Sequence, residues 1–249
     1  DNLKKEMEQI VKNFQPELMY MVADTFLAMS PRELDEFSEF YQSYKIPFWM
    51  NTRAETITEH SAKHLAKMNC LRFNIGIEHG NPKFRKEILK RSVSNNKTIE
   101  SFNIAAKYAD EYTCVANNII GLPTENPKLV FDTIELSRSL PDETITGGAY
   151  IFIPYHGTPL RQVAIDEKYI DPDLICTESS NTSGSSLLRM PQFPSDEIDS
   201  FMKVFSFYVK FPKERWSEIE IARKNDDEGN RVFEDLRKEY SQTYINPAP

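Results

Sequence analysis

The sequence predicts a parallel α/β fold of repeated strand–helix units, followed by helices alone. Three observations carry this prediction. Short apolar runs alternate with stretches of helical period from residue 3 to about residue 153. Helix-start signatures stand between them, as crossover connections require. The 249 residues are 40 % hydrophobic and 12 % aromatic, enough to bury a substantial core.

The elements follow in order. Leu3, Met7, Ile10, Val11 and Phe14 have helical spacing, and Glu17–Ala23 is a nearly continuous apolar run that reads as a strand covered on both faces. Ser30-Pro31-Arg32-Glu33 is a capping box with proline at the first helical position, with Leu34, Phe37, Phe40, Tyr41 and Tyr44 forming the stripe behind it. Pro47–Asn51 reads as the second strand, and Thr58 caps a helix running to about Asn69. Leu71–Ile77 is the third strand, with helical stretches at Phe84–Leu89 and Lys97–Tyr108 after it. Thr113–Ile120 is the fourth, Asn126-Pro127 opens a helix ending near Leu140, and Thr146–Ile153 is the fifth. Both a barrel and an open doubly wound sheet fit this beat. Thr177–Ser186 is small and polar and reads as a solvated connector, a lid over the strand ends being the sharper alternative. Ser195 is expected to cap a helix carrying Ile198, Phe201, Met202, Phe205 and Tyr208 on one face, with further helices at Lys213–Lys224 and Gly229–Tyr240.

Composition disfavours several functions. The net charge of −8 makes a poor nucleic-acid binder. No apolar run of about 18 residues exists to cross a membrane, and residues 1–15 do not read as a signal peptide. Cys70, Cys114 and Cys176 match no zinc or disulfide spacing, which points to a reducing cytoplasm. His60 and His64 stand at i, i+4, a spacing that can clamp zinc, but no third ligand is visible and a solvated helix face is the plainer reading. Four histidines in all argue against a metal-dependent barrel hydrolase.

In parallel strand–helix folds, chemistry collects at the carboxyl ends of the strands. Those ends read Asp24-Thr25, Asn51-Thr52-Arg53, Glu78-His79-Gly80, Asn117 to Gly121 and Pro154 to Thr158, a polar rim suited to a small polar ligand. Duller roles are open to each. Glu78 could pair with Arg53 or Arg91, Asp24 could hold a turn, Arg91 could be a surface cation, and Gly121-Leu122-Pro123 is a tight turn in any case.

Val22-Ala23-Asp24-Thr25-Phe26, Pro47 to Arg53, Gly76 to Asn81, Phe84 to Arg91, Asn118 to Glu125 and Pro154 to Leu160, in that order, resemble the strand ends of radical S-adenosylmethionine enzymes. The resemblance spans roughly residues 1–165 and is nearest to the branch that usually carries an N-terminal cobalamin-binding domain. It implies a partial (β/α)6 TIM-like barrel with its first strand missing over 1–165; the residues that follow read as a flexible connector over 166–194 and a C-terminal helical extension over 195–249. It implies S-adenosylmethionine across the barrel mouth, a 4Fe–4S cluster and possible use of cobalamin. Asp24 would meet the methionine amino group, Thr25 would belong to the same cofactor site, and Arg53 and Arg91 would stand near the carboxylate. Glu78 and Asn117 would hold ribose hydroxyls, and Gly121, Leu122, Ile153 and Tyr155 would flank the adenine.

There are departures from the family pattern. The CxxxCxxC loop is absent, Ala23 replaces an acid and His156 a proline. The chain is therefore expected to be a catalytic-core fragment, inactive alone, of an enzyme acting on a small molecule; a degenerate, cluster-free scaffold is the alternative. An open edge along Glu17–Ala23 would favour self-association. Asp24, Arg53, Glu78 and Asn117 are expected to converge on one pocket. Anaerobic treatment with iron and sulfide should leave the protein without cluster absorbance, since three scattered cysteines do not supply the thiolates a cluster needs; a stable cluster on this chain would overturn that expectation.

Overall fold

Helix starts in this chain are fixed by side chains that capture otherwise unpaired amides. In the computed structural model, which describes residues 2–176 and 185–245, Ser30, Thr58, Asn81, Ser94, Asn126, Thr158 and Asp226 each accept a hydrogen bond from the backbone three residues ahead. Pro31, Pro82, Pro127 and Pro159 follow four of these caps, where a missing N–H costs nothing. The elements are α1 (Asn2–Phe14), β1 (Met19–Met21), α2 (Pro31–Tyr41), β2 (Phe48–Thr52), α3 (Glu59–Lys67), β3 (Cys70–Glu78), α4 (Pro82–Glu87), α5 (Asn95–Ala106), β4 (Thr113–Ile120), α6 (Pro127–Arg138), β5 (Ile145–Ile151), α7 (Pro159–Asp166), α8 (Ser195–Lys210), α9 (Trp216–Arg223) and α10 (Asp227–Tyr240). The sheet runs β1-β2-β3-β4-β5, and β1/β2 and β2/β3 pair in parallel. This is the α/β architecture with C-terminal helices that the sequence predicts.

The chain divides into two compact units. The first comprises the residues up to Ile77, Val93–Ala116 and Leu140–Ile145. β2 alternates strictly, whereas β3 buries Phe73, Asn74 and Ile75 in succession. Phe48, Met50, Phe73 and Ile75 are buried on one face, with Tyr41 and Phe26 against Phe48 at ring separations of 5.2 and 6.0 Å. The second unit comprises Glu78–Ser92, Asn117–Ser139 and the residues from Thr146 onward. One continuous apolar cluster fills it, in which Ile120, Leu122, Val130, Ile134 and Phe152 join Ile198, Phe201, Val204, Phe205 and Tyr208 of α8. Leu188, Met190 and Phe193, ahead of α8, are buried in the same cluster.

Three details differ from the sequence reading. β1 covers only three residues because it ends the sheet and has a ladder on one side alone; Val22, expected inside the strand, is 83 % exposed. Ser195 is the first helical residue, and Pro194 occupies the cap position without a side-chain hydrogen bond. α7 went unpredicted, although Thr158-Pro159 carries the same start signal as Ser30-Pro31. Of the connector expected at Thr177–Ser186, residues 177–184 lie outside the described residues.

Arg138, at the end of α6, closes α8. Its Nη1 donates to the carbonyls of Tyr208, Val209 and Phe211 at 2.6, 2.9 and 2.7 Å, satisfying acceptors that the last turn of α8 leaves without partners. Arg138→Met should lower unfolding stability by about 3 kcal/mol, because a charge-assisted donor is lost to half-buried carbonyls. Chemical denaturation measures this; a change within experimental error would show the clamp to be incidental.

Candidate functional site at the strand ends

In the first unit the strand face opposite the apolar one is polar. Register places Tyr20 opposite Trp49, Trp49 opposite Arg72 and Asn51 opposite Asn74. Asn51 Nδ2 donates to the Tyr20 hydroxyl at 2.6 Å, Asn74 Nδ2 to Asn51 Oδ1 at 2.9 Å, and Arg72 Nε to Asn74 Oδ1 at 3.3 Å. Buried amides need such partners, and here they tie three strands together. Arg53 continues this face just beyond β2 and is half-buried; its Nε is buried with no hydrogen-bond partner among the described residues. Asp24 is exposed and Thr25 half-buried, both in the turn after β1.

In the second unit Glu78 ends β3 with φ +66°, a left-handed conformation uncommon for a non-glycine residue, though six others among the described residues also have positive φ. Its Oε1 lies 3.1 Å from Arg91 Nη2, so the pairing weighed from the sequence exists. Asn117 alternates with buried Asn118 on β4, and its Oδ1 is buried without a hydrogen-bond partner among the described residues. Gly121 has φ +74°, and a Cβ there would meet Ile198 Cγ2 at 3.0 Å. Leu122 is wholly buried, and its N–H donates to Glu125 Oε2 at 3.0 Å. Ile153 is half-buried and Tyr155 half-exposed, their loop held by Arg161, which donates to the carbonyls of Pro154, Pro172 and Leu174 at 2.8, 2.9 and 2.7 Å. Of the ten residues singled out from the sequence, Glu78 and Arg91 are in direct contact; Asp24, Thr25 and Arg53 belong to the first unit and the remainder to the second.

Sequence reasoning missed a pair inside the second unit. His79 and Glu125 are both completely buried, with His79 Nε2 3.1 Å from Glu125 Oε1. Asn81 N donates to His79 Nδ1 at 3.0 Å, so that nitrogen is an acceptor and Nε2 carries the proton given to Glu125. Burial raises the Glu125 carboxyl above its ordinary 4.5, against the opposing pull of His79 and the Leu122 and Gly121 amides. The pair joins the loop after β3 to the Gly121–Glu125 turn after β4. Arg85, also fully buried, donates to the His79 carbonyl at 2.5 Å. Gly80 completes the junction: a Cβ there would stand 2.1 Å from the Asp132 carbonyl oxygen. The only sequence signal was His79 and Glu125 inside strand-end motifs, 46 positions apart.

The thiols offer no cluster site. Cys70 and Cys114 are buried, and burial pushes Cys70 up to about 12 and raises Cys114 as well, which keeps both protonated. Cys176 belongs to the other unit and lies 3.4 Å from the Pro154 carbonyl. No helix among the described residues is long and apolar enough to cross a membrane.

Comparison with known proteins agrees with this architecture. The radical SAM superfamily matches residues 1–137. The fold is similar to the radical S-adenosylmethionine methyltransferase TsrM from Kitasatospora setae (TM-score 0.53, 19 % identity, 79 % of this chain and 37 % of that one). It is also similar to coproporphyrinogen III oxidase (HemN) from Escherichia coli, with TM-score 0.55, 14 % identity and coverage of 82 % and 45 %. The cobalamin-dependent S-adenosylmethionine radical enzyme OxsB gives TM-score 0.58, 12 % identity and coverage of 98 % and 41 %. The chain thus spans less than half the length of these structures. No curated protein matches the sequence.

His79→Ala should destabilise the protein by about 3 kcal/mol, because it strands the Glu125 carboxyl in the core. The pH response has a definite sign. A carboxyl raised on folding contributes stability that is full below its unfolded value near 4.5 and lost as pH rises through the folded value. Glu125→Gln should flatten this decline of wild-type stability with pH; urea midpoints between acid and neutral pH measure it, and identical slopes would contradict the assignment.

Proposed function

The chain belongs to the radical SAM superfamily, and on that premise we propose that its strand ends bind S-adenosylmethionine in the service of radical or methyl-transfer chemistry on a small-molecule substrate. The observation that carries the reading is one unpartnered buried atom at the strand ends of each unit. Arg53 Nε is a donor and Asn117 Oδ1 an acceptor, each withdrawn from water without a partner among the described residues. A buried polar group in that state costs about 1–3 kcal/mol, which a polar ligand relieves. Both belong to the residues that the family resemblance assigns to the cofactor.

The chain's own groups divide the work by chemistry. Arg53 suits the ligand carboxylate, since a guanidinium meets a carboxylate bidentately. Asp24, exposed after β1, suits the ammonium. Asn117 Oδ1 can accept from a ribose hydroxyl, and Glu78, already oriented by Arg91, from a second. The His79–Glu125 pair holds the loops that carry Glu78 and Gly121, so it acts by positioning. When bound, S-adenosylmethionine supplies a transferable methyl group or, on one-electron reduction, a carbon radical. The three cysteines do not fit a 4Fe–4S cluster, so cluster ligands and any cobalamin site would come from residues outside this sequence. The fragment alone would accordingly bind without turning over. That same misfit favours a second reading, a nucleoside-binding scaffold without catalysis. Free thiols throughout suit a reducing cytoplasm.

Calorimetric titration of the purified chain with S-adenosylmethionine should show one site. Arg53→Ala and Asn117→Leu should each weaken it by about tenfold, the equivalent of one lost hydrogen bond to a charged or buried group. Unchanged affinity in both variants, or no binding to the wild type, would remove the reading; retained binding by a full-length protein lacking turnover would select the scaffold.

A further inference from the structure

Away from the strand ends, the first unit carries a cluster that cofactor binding does not use. Asp35 lies on α2, and His60 and His64 lie four residues apart on α3, hence on one helix face. The Nε2 atoms of His60 and His64 each stand 3.0 Å from the same Asp35 Oδ1. The two rings are 4.5 Å apart, and the three ligand atoms lie within 4.8 Å of one another. A tetrahedral ion bound at about 2.0 Å from each donor needs donors about 3.3 Å apart. The nitrogen-to-oxygen distances therefore lie within a few tenths of an ångström of what such an ion requires. The third ligand that the sequence did not reveal is supplied by the neighbouring helix.

We propose that Asp35, His60 and His64 form a binding site for one divalent transition-metal ion of the zinc class, which staples α2 to α3 while water completes its coordination. Two imidazoles and one carboxylate select zinc, nickel or copper over magnesium or calcium, which take oxygen donors. Asp35 supplies the negative charge that offsets the nearby Lys63 and Lys67. The Nδ1 of His64 is buried without a hydrogen-bond partner among the described residues, so no outer acceptor strengthens this ligand. That leaves the affinity roughly 10–100-fold below that of a site whose histidines are held by outer acceptors. The half-exposed His60 and exposed Asp35 leave the site open to ions from solution.

The test uses the full chain after chelator treatment, with zinc alone as the probe. Calorimetry should give one ion per chain, zinc should raise the thermal midpoint, and cobalt substitution should give the visible bands of a four-coordinate nitrogen–oxygen site. Asp35→Asn and His60→Ala should each weaken zinc binding roughly 10–100-fold and abolish the thermal shift, since losing a ligand costs at least as much as losing an outer-shell partner. Both side chains are at the surface, so both variants should fold. Cys176→Ser should bind zinc as the wild type does. Stoichiometric binding that survives His60→Ala, half an ion per chain with dimer formation, equal binding of magnesium, or no zinc binding would each overturn the proposal.

Discussion

The first turn of a helix has amides with no partner inside the helix, and in this chain that constraint organises the rim. A parallel sheet returns through a helix after each strand, so helix starts gather at the carboxyl ends of the strands. Ser30, Thr58, Asn81, Asn126 and Thr158 are the polar side chains placed there to receive those amides. The same rim must also present polar groups to a ligand. The two demands draw on the same residue types, and hydrogen-bond partners separate them. Asn81 and Thr158 are committed to caps, whereas Arg53 Nε and Asn117 Oδ1 have been withdrawn from water and given no partner.

Local signals made most of the fold legible. Thr113–Ile120 was read to the residue, and the helix starts followed from Ser30-Pro31, Thr58 and Asn126-Pro127, because capping is a contract between residues three apart. Strand length at the sheet edge was not legible, since Glu17–Ala23 is apolar enough for a strand and only the missing neighbour shortens it to Met19–Met21. Ser195 had the right chemistry for a cap and lost the position to Pro194, whose extended backbone delivers the chain into α8.

The site was legible as residue types and, apart from Glu78 with Arg91, not as partnerships. Asn51, Arg53 and Glu78 were visible as polar strand-end residues, while the register that sets Asn51 opposite Asn74 was not. The buried pair of His79 with Glu125 and the meeting of Asp35 with His60 and His64 are tertiary facts. In each, residues from separate elements converge, and neither local periodicity nor spacing encodes the encounter. The His60–His64 spacing was visible and its significance was not, because the third donor lies 25 positions upstream on a different helix.

The apolar cluster of the second unit bears on how such a protein can change over time. Ile120, Leu122 and Phe152, near the carboxyl ends of strands, share one uninterrupted interior with α8. A tail attached through an exposed hinge could be exchanged between relatives as a cassette. This one is not so attached, because its Phe201 and Tyr208 pack on Phe131 of α6 inside that same interior. A change of side-chain volume in the tail is therefore felt in the interior beneath the strand ends, and is tolerated best when the total volume is kept.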